Sequence, residues 1–368
     1  MKPTSNSCCT PFAGFLLMAF FFTFGCLYSL VTIEKISQFP DAKVCMKRSQ
    51  TFPKAAVATD SGLCSQFANN ALLRNGSAVD AAITALLCIS VINMHTTGLG
   101  GGLYMVVWDN YKKKAISIDA QSIFTASNAR IDNHSGIGKF SIAVPGFIAG
   151  LWEAHLKFGK LPWAQLFQPA IDLCHDGFEI GTILDEGIRE MENTDQLKLN
   201  ESVYLKHLLS NDAYGVFKRG GDRIYCRELA ESFKTLANNG GWDFYIGSLS
   251  QKLIADFNEL GVPITEKELA NYYVKVNDDL LALNLNENFS VFHNGVPSGG
   301  PIVAKMLENM ANIGHGQVWY KHFLDSLKGI YRKVLREAAG QVKSGSTTHV
   351  SIVDSFGNAV SVTSSLSA

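Results

Sequence analysis

The longest uninterrupted apolar stretch of the chain runs from Phe12 to Ile33 without one charged residue. It is long enough to cross a bilayer as a helix. A membrane span over 12–33 is the first reading; a cleaved signal peptide, whose apolar region is about 7–15 residues long, and a buried core helix compete with it. Lys2 precedes the stretch, whereas Lys35, Lys43, Lys47 and Arg48 follow it, so charge alone points the downstream chain inward. Long domains translocate largely regardless of that bias. Four glycosylation sequons, at Asn75, Asn133, Asn200 and Asn288, favour the outside.

Beyond a polar stretch to about Pro53, Ala55–Thr59 reads as a short buried strand and Cys64–Arg74 as a helix. Ser77, with Asp80 three residues later, caps a second helix whose Val79, Ala82, Ile83, Leu86, Leu87 and Ile89 make it apolar nearly all round. That helix is predicted to be central to the core. It leads through Asn93 and His95 into Gly98-Leu-Gly-Gly-Gly102 and then a strand over Leu103–Trp108. A dinucleotide fingerprint needs the order strand, glycine loop, helix and the spacing G-x-G-x-x-G, so these glycines serve close backbone approach instead. His95 is expected as a hydrogen-bonded core or loop residue.

Val144-Pro-Gly146 opens a helix carrying Trp152 and His155, and Leu161-Pro-Trp163 opens another. Leu253–Leu260 is helical and stops at Gly261; Pro297-Ser-Gly-Gly-Pro301 turns before an apolar helix over Ile302–Ile313. Near the end, His349–Asp354 alternates as a strand, Ser355–Asn358 turns and Ala359–Thr363 alternates back, a hairpin. Alternation puts His349 on the strand face of Ser351, which marks it as structural rather than a general base.

The balance of 32 Lys+Arg against 33 Asp+Glu leaves no basic excess for phosphates, which argues against a nucleic-acid partner. Of the eight cysteines, Cys8, Cys9 and Cys26 lie before or within the apolar stretch. Five follow it, an odd number, and no spacing matches a C-x-x-C redox or zinc site.

A threonine at a strand entry carries no chemistry by itself. Here, however, the run from Thr347-Thr-His-Val-Ser-Ile-Val-Asp to Val362-Thr363 closely resembles the start of the small subunit of gamma-glutamyltransferases, or glutathione hydrolases. Gly76-Ser-Ala-Val-Asp-Ala-Ala82, Gly98–Gly102, Val144-Pro-Gly146, Gly159-Lys-Leu-Pro-Trp163 and Pro297–Pro301 follow the same family in order. The resemblance implies an α+β fold, the N-terminal nucleophile hydrolase αββα four-layer sandwich, incomplete at the C-terminus and preceded by one transmembrane helix. It divides the chain into a cytoplasmic tail 1–11, a signal-anchor 12–33, a stalk 34–54, a large-subunit-like extracellular domain 55–346 and a truncated small-subunit start 347–368. The protein is then expected in the plasma membrane, single-pass type II, with its membrane contact through Phe12–Ile33.

The resemblance further implies autocleavage between Ser346 and Thr347, which frees an α-amine beside the Thr347 hydroxyl and gives that nucleophile its own base. Ser365 aligns with the supporting hydroxyl, Cys64 with Cys88 as a disulfide, and Cys45, Cys174 and Cys226 receive no partner. The substrate is expected to be glutathione or a related gamma-glutamyl compound, the acceptor water or an amino acid, with no metal and no organic cofactor.

Two substrate-binding positions depart from the family. Gln121 stands where an arginine holds the substrate α-carboxylate, with Ser122 in place of the acid that follows, and Ser367 stands for an asparagine. A neutral amide cannot reproduce a bidentate guanidinium grip. Ala368 falls about where the last third of a family precursor begins, and that third carries the glycine pair of the oxyanion hole. The alternative expectation is therefore a catalytically inactive truncated homologue, either a binding protein or a nonfunctional fragment.

Overall fold

The structure, a computed structural model, describes residues 52, 54–125, 139–201, 203–211, 216–311, 324–325, 328–329 and 347–366. Regions 1–11, 12–33 and nearly all of 34–54, together with Asn133, Ser346 and Ser367, lie outside the described residues; Asn200 is described only in its backbone. The chain divides after Phe52 into two units, and the second, Pro53–Ala368, holds the sheet and the helices. Among the described residues no helix is long and apolar enough to cross a membrane.

The main sheet has six strands, numbered here β1 (Ala56–Thr59), β2 (Gly102–Asp109), β3 (Lys114–Ala120), β4 (Lys275–Asn277), β5 (Thr347–Val353) and β6 (Ala359–Ser365). Their spatial order is β1-β5-β6-β2-β3-β4, and every neighbouring pair is antiparallel. Side chains on a strand alternate between the two faces. Val350, Val362, Met105 and Ile118 face one another across four strands, as do Ile352, Val360, Val107 and Ile116, and all are buried.

The principal helices are α1 (Gly62–Leu73), α2 (Ala78–Ile92), α3 (Phe147–Phe158), α4 (Trp163–Asp176), α5 (Thr182–Glu201) and α6 (Arg227–Asn239). The helix α2 lies against β5 and β6, and α3 against β2 and β3. Every residue of α2 from Ala78 to Val91 is buried, because α1 and α4 enclose the faces that the sheet leaves open. The apolar circumference of its sequence thus finds partners all round. The opposite sheet face carries His349, Ser351, Ser361, Thr363 and Tyr104, and Phe292 packs on its Trp108 with ring centroids 5.5 Å apart. The described residues therefore form an α+β arrangement of helices on one face of a six-stranded sheet, and the other sheets among them are three two-stranded pairs.

The predicted cap of α2 is present and is larger than expected. Ser77 accepts from Asp80 N and Asp80 Oδ2 accepts from Ser77 N at 2.8 Å, a capping box. The same Oδ2 also accepts from Lys160 N at 2.9 Å and Leu161 N at 3.0 Å, which ties the α3–α4 turn to the helix start. His155 Nε2 is directed to Leu161 O at 2.9 Å and lies 3.9 Å from Asp80 Oδ1, too far for a hydrogen bond.

The hairpin β5–β6 starts earlier than the sequence pattern placed it. Thr347 and Thr348 already belong to β5, since cross-strand pairing with Ser365 and Ser364 extends the ladder beyond the apolar alternation. Replacing Asp80 by Ala strands three N–H groups, that of buried Ser77 and those of Lys160 and Leu161 in the part-buried turn, so unfolding in urea should show a loss of about 3 kcal/mol or more. A loss below about 1 kcal/mol would mean that the turn holds without the carboxylate.

Candidate active site

Thr347 opens β5 with an exposed side chain on the sheet face away from α2. The next two residues are clamped. Thr348 Oγ1 donates to Asp60 Oδ2 at 2.6 Å, and His349 N donates to the same oxygen at 3.2 Å. Asp60 directly follows β1, the antiparallel neighbour of β5, so one carboxylate fixes the strand entrance just behind Thr347.

Thr347 pairs with Ser365, and Ser365 pairs with Gly102, which puts all three in one row across adjacent strands. Strand spacing sets each step in that row at about 4.8 Å. The β6 end is held from below. Ser364 Oγ donates to Gly102 O at 2.9 Å, which leaves Thr97 Oγ1 to donate to Ser364 Oγ at 2.5 Å, and Leu366 N donates to Thr96 O at 3.2 Å.

Two glycines of the loop after α2 bring the parts of this row together. A Cβ on Gly101 would lie 2.3 Å from Ser365 O, and a Cβ on Gly102 would lie 2.7 Å from Gln121 Cα. Neither position admits a side chain without moving backbone. Gly101 O meanwhile accepts from Gly146 N and Phe147 N, both at 2.9 Å, and so anchors the start of α3.

Gln121, directly after β3, is half-buried; its N–H reaches Asp119 Oδ1 at 3.3 Å and its carbonyl accepts from Tyr272 Oη at 2.8 Å. The backbone at this position is thus fixed beside Gly102, while the side chain offers a neutral amide. Ser122 is half-buried next to it. Burial, reinforced by the Asp119 charge, pushes the Tyr104 hydroxyl up to about 12. Tyr104 therefore stays neutral in the row that joins Thr363 to Asp119.

His349 has both ring nitrogens engaged, Nδ1 with Thr363 Oγ1 at 2.8 Å and Nε2 with Ser351 Oγ at 3.0 Å and Ser361 Oγ at 3.3 Å. It holds hydroxyls on the open sheet face, in keeping with a structural role. His95 departs from expectation: its Nδ1 is buried with no hydrogen-bond partner among the described residues, because the ring packs against α5, where a Cβ on Gly187 would come within 2.8 Å. Burial lowers its pKa, and Glu190 opposes that shift.

Cys64 and Cys88 are joined by a disulfide between α1 and α2, the pairing that the resemblance implied. Asn75 is exposed with φ of 62°, but Ser77, the hydroxyl residue of its sequon, is buried as the α2 cap. Asn288 is exposed in the turn between the short strands Leu283–Asn284 and Ser290–Val291. Among the described residues no group of three or more His, Cys, Asp or Glu is placed to hold a metal ion. A cavity of about 530 Å3 lined by Ser117, Asp119, Lys275, His293 and Asn294 follows β3 and β4, away from Thr347.

Sequence reasoning passed over Asp60, Thr97 and Ser364. Each acts through a partner more than 250 residues away in the chain, so only the strand pairing reveals it. Asp354 belongs with them: its Oδ1 accepts from Phe356 N and Asn358 N within the hairpin turn, and its Oδ2 accepts from Ala78 N at the start of α2.

A family model described as gamma-glutamyltranspeptidase matches residues 64–334. Scoloptoxin SSD14 of Scolopendra dehaani is 32% identical over 79% of this chain and 53% of its own length. Glutathione hydrolase 5 proenzyme of Rattus norvegicus is 34% identical over 76% of this chain and 51% of its own. Among solved structures, the gamma-glutamyltranspeptidase from Pseudomonas nitroreducens complexed with L-DON superposes with a TM-score of 0.65 at 25% identity, covering 76% of this chain and 85% of that one. The chain spans about half the length of the curated relatives it matches. On this match and this fold, the chain belongs to the gamma-glutamyltranspeptidase family.

Proposed function

We propose that the whole protein to which this chain belongs is a gamma-glutamyl hydrolase and transferase with Thr347 as its nucleophile. The observation that carries the reading is the exposed Thr347 at the head of β5, clamped from behind through Asp60 and in one row with Ser365 and Gly102. Scission of the Ser346–Thr347 peptide bond would convert the Thr347 nitrogen to an α-amine able to take the proton of its own hydroxyl. The Thr347 oxygen then attacks the gamma-glutamyl carbonyl, the amine leaves, and water or an amino acid releases the acyl group. Ser365, its strand partner, supplies the neighbouring hydroxyl, and Ser367 is the further position on the substrate side.

In this reading the open sheet face bearing His349, Ser351, Ser361 and Thr363 meets a second sheet in the whole protein, which completes the αββα sandwich. The Cys64–Cys88 disulfide and the sequons support an extracellular catalytic part, anchored as a type II plasma-membrane protein through 12–33. Asn133, Asn200, Asn288 and Asn75 are its glycan acceptors, and exposure favours Asn288. On the secreted-side protein, Asn288→Gln should therefore remove one glycan-sized step from the gel mobility that a glycosidase shifts. An unaltered step pattern would remove Asn288 from the set.

Gln121 favours a second reading, a homologue that binds without turnover, because a carboxylate held by an amide loses a charge-assisted pair of hydrogen bonds. Release of the chromophore from a gamma-glutamyl anilide separates the two. In the full-length protein Thr347→Ala should lower that rate by roughly three orders of magnitude or more, as removal of a covalent nucleophile does. No release by the unaltered protein would support the binding homologue instead. If Gln121 occupies the carboxylate position, Gln121→Arg should lower KM by about tenfold to a hundredfold with little change in kcat. An unchanged KM would remove Gln121 from the substrate site.

A further inference from the structure

Cys174 lies in the last turn of α4, and Cys226 is the N-cap residue immediately before α6. Both are buried and both carry free thiols. The Cys226 N–H donates to Cys174 O at 2.9 Å, and each thiol shifts the pKa of the other, Cys174 upward and Cys226 downward. A backbone N–H···O=C bond fixes N and O about 2.9 Å apart and so keeps the two Cα atoms within roughly 5–6.5 Å of each other. That separation falls within the window of about 4.4–6.8 Å that a disulfide requires.

We propose that Cys174 and Cys226 are a site of covalent modification, closing as a second intrachain disulfide when the protein meets a small-molecule disulfide. The chain between them, 175–225, includes α5, whose Leu184 and Ile188 are buried in the core. A short antiparallel pair, Phe178–Glu179 with Arg223–Ile224, lies just inside the two cysteines. The bond would therefore close the base of a lobe that contains α5.

The chemistry of the two thiols differs in a way that suits exchange. Cys174 lowers the Cys226 thiol and Lys218 adds to that, while burial and Glu228 oppose it. The Cys174 thiol is raised, first by Cys226 and then by burial. Cys226 also sits at the start of α6, where the helix dipole favours a thiolate. Cys226 is accordingly the attacking sulfur.

Its thiolate displaces one half of the small disulfide as a thiolate and forms a mixed disulfide. The Cys174 sulfur then attacks Cys226 Sγ, and the second half leaves with the Cys174 proton. Two protein thiols are oxidised and the small disulfide is reduced to two small thiols; the Cys226 proton ends on the first. With both side chains buried, attack requires opening of the lobe or takes place during folding, and the closed bond is then shielded.

The consequence reaches the active-site row. The helix α5 packs through Gly187 against His95, and the next residues, Thr96 and Thr97, hold Leu366 and Ser364 at the end of β6. A lobe closed at its base holds α5 against His95 and so keeps that support in place.

The test uses the full-length protein, equilibrated with excess oxidised glutathione until Cys64–Cys88 is fully linked. It is then alkylated without reduction and mapped by mass spectrometry. A linked peptide pair containing Cys174 and Cys226 is expected, and Cys226→Ser should raise proteolysis within 175–225 by roughly tenfold or more. If that variant does not fold, the unaltered protein with and without mild reduction gives the same comparison. Recovery of Cys174 and Cys226 as alkylated thiols, as glutathione adducts or linked to Cys45 would overturn the proposal.

Discussion

The burial of α2 is the constraint on which the rest of the structure depends. Fifteen residues at the helical rise make it about 22 Å long, and the seven-residue strands of the β5–β6 hairpin are about 23 Å long. The helix and the hairpin therefore match end to end. At one end Asp354 of the hairpin turn accepts from Ala78 N, and at the other Thr97 and Thr96, just past the helix, hold Ser364 and Leu366. An apolar helix of this length sets where the open end of the hairpin lies, and Thr347 is at that end.

Polar groups convert this apolar match into a defined position. Asp80 collects three N–H donors at the start of α2, and Asp60 collects a hydroxyl and an N–H at the start of β5. Such bonds add little each, yet they are costly to leave unmade in a buried place, so they select one arrangement among the many that hydrophobic burial tolerates. Gly101 and Gly102 then let two backbone segments come close, Ser365 at the end of β6, the strand beside Thr347, and Gln121 just after β3. Thr347, through its partner Ser365, and Gln121 are thus linked through backbone, and the Gln121 side chain takes no part in that link.

Much of this was legible in the sequence, for reasons that are local. Ser77 and Asp80 are three residues apart and form their capping box within one turn; Gly261 ends its helix with φ of 65°, as a C-cap glycine does. The hairpin turn around Ser355–Asn358 and the central position of α2 follow from alternation and from apolar composition. The true start of β5 was not legible, since Thr347 and Thr348 are fixed by Ser365, Ser364 and Asp60 rather than by their own pattern. The strand Lys114–Ala120 was likewise passed over, although Ile116 and Ile118 do alternate with Ser117 and Asp119. The proximity of Cys174 and Cys226 needs α4 and α6 to be packed together, which Trp163 Nε1 on Leu236 O helps to secure, and no spacing rule anticipates it.

The most direct measurement is the chemical identity of the Thr347 nitrogen in the full-length protein isolated from cells. Amine labelling of the intact protein, followed by proteolysis and mass spectrometry, distinguishes a free α-amine from a peptide nitrogen. If Thr347 is the nucleophile, a labelled peptide that begins at Thr347 is predicted. A peptide that runs without a break from Ser344 through Ser346 into Thr347, with no labelled Thr347, would contradict that assignment.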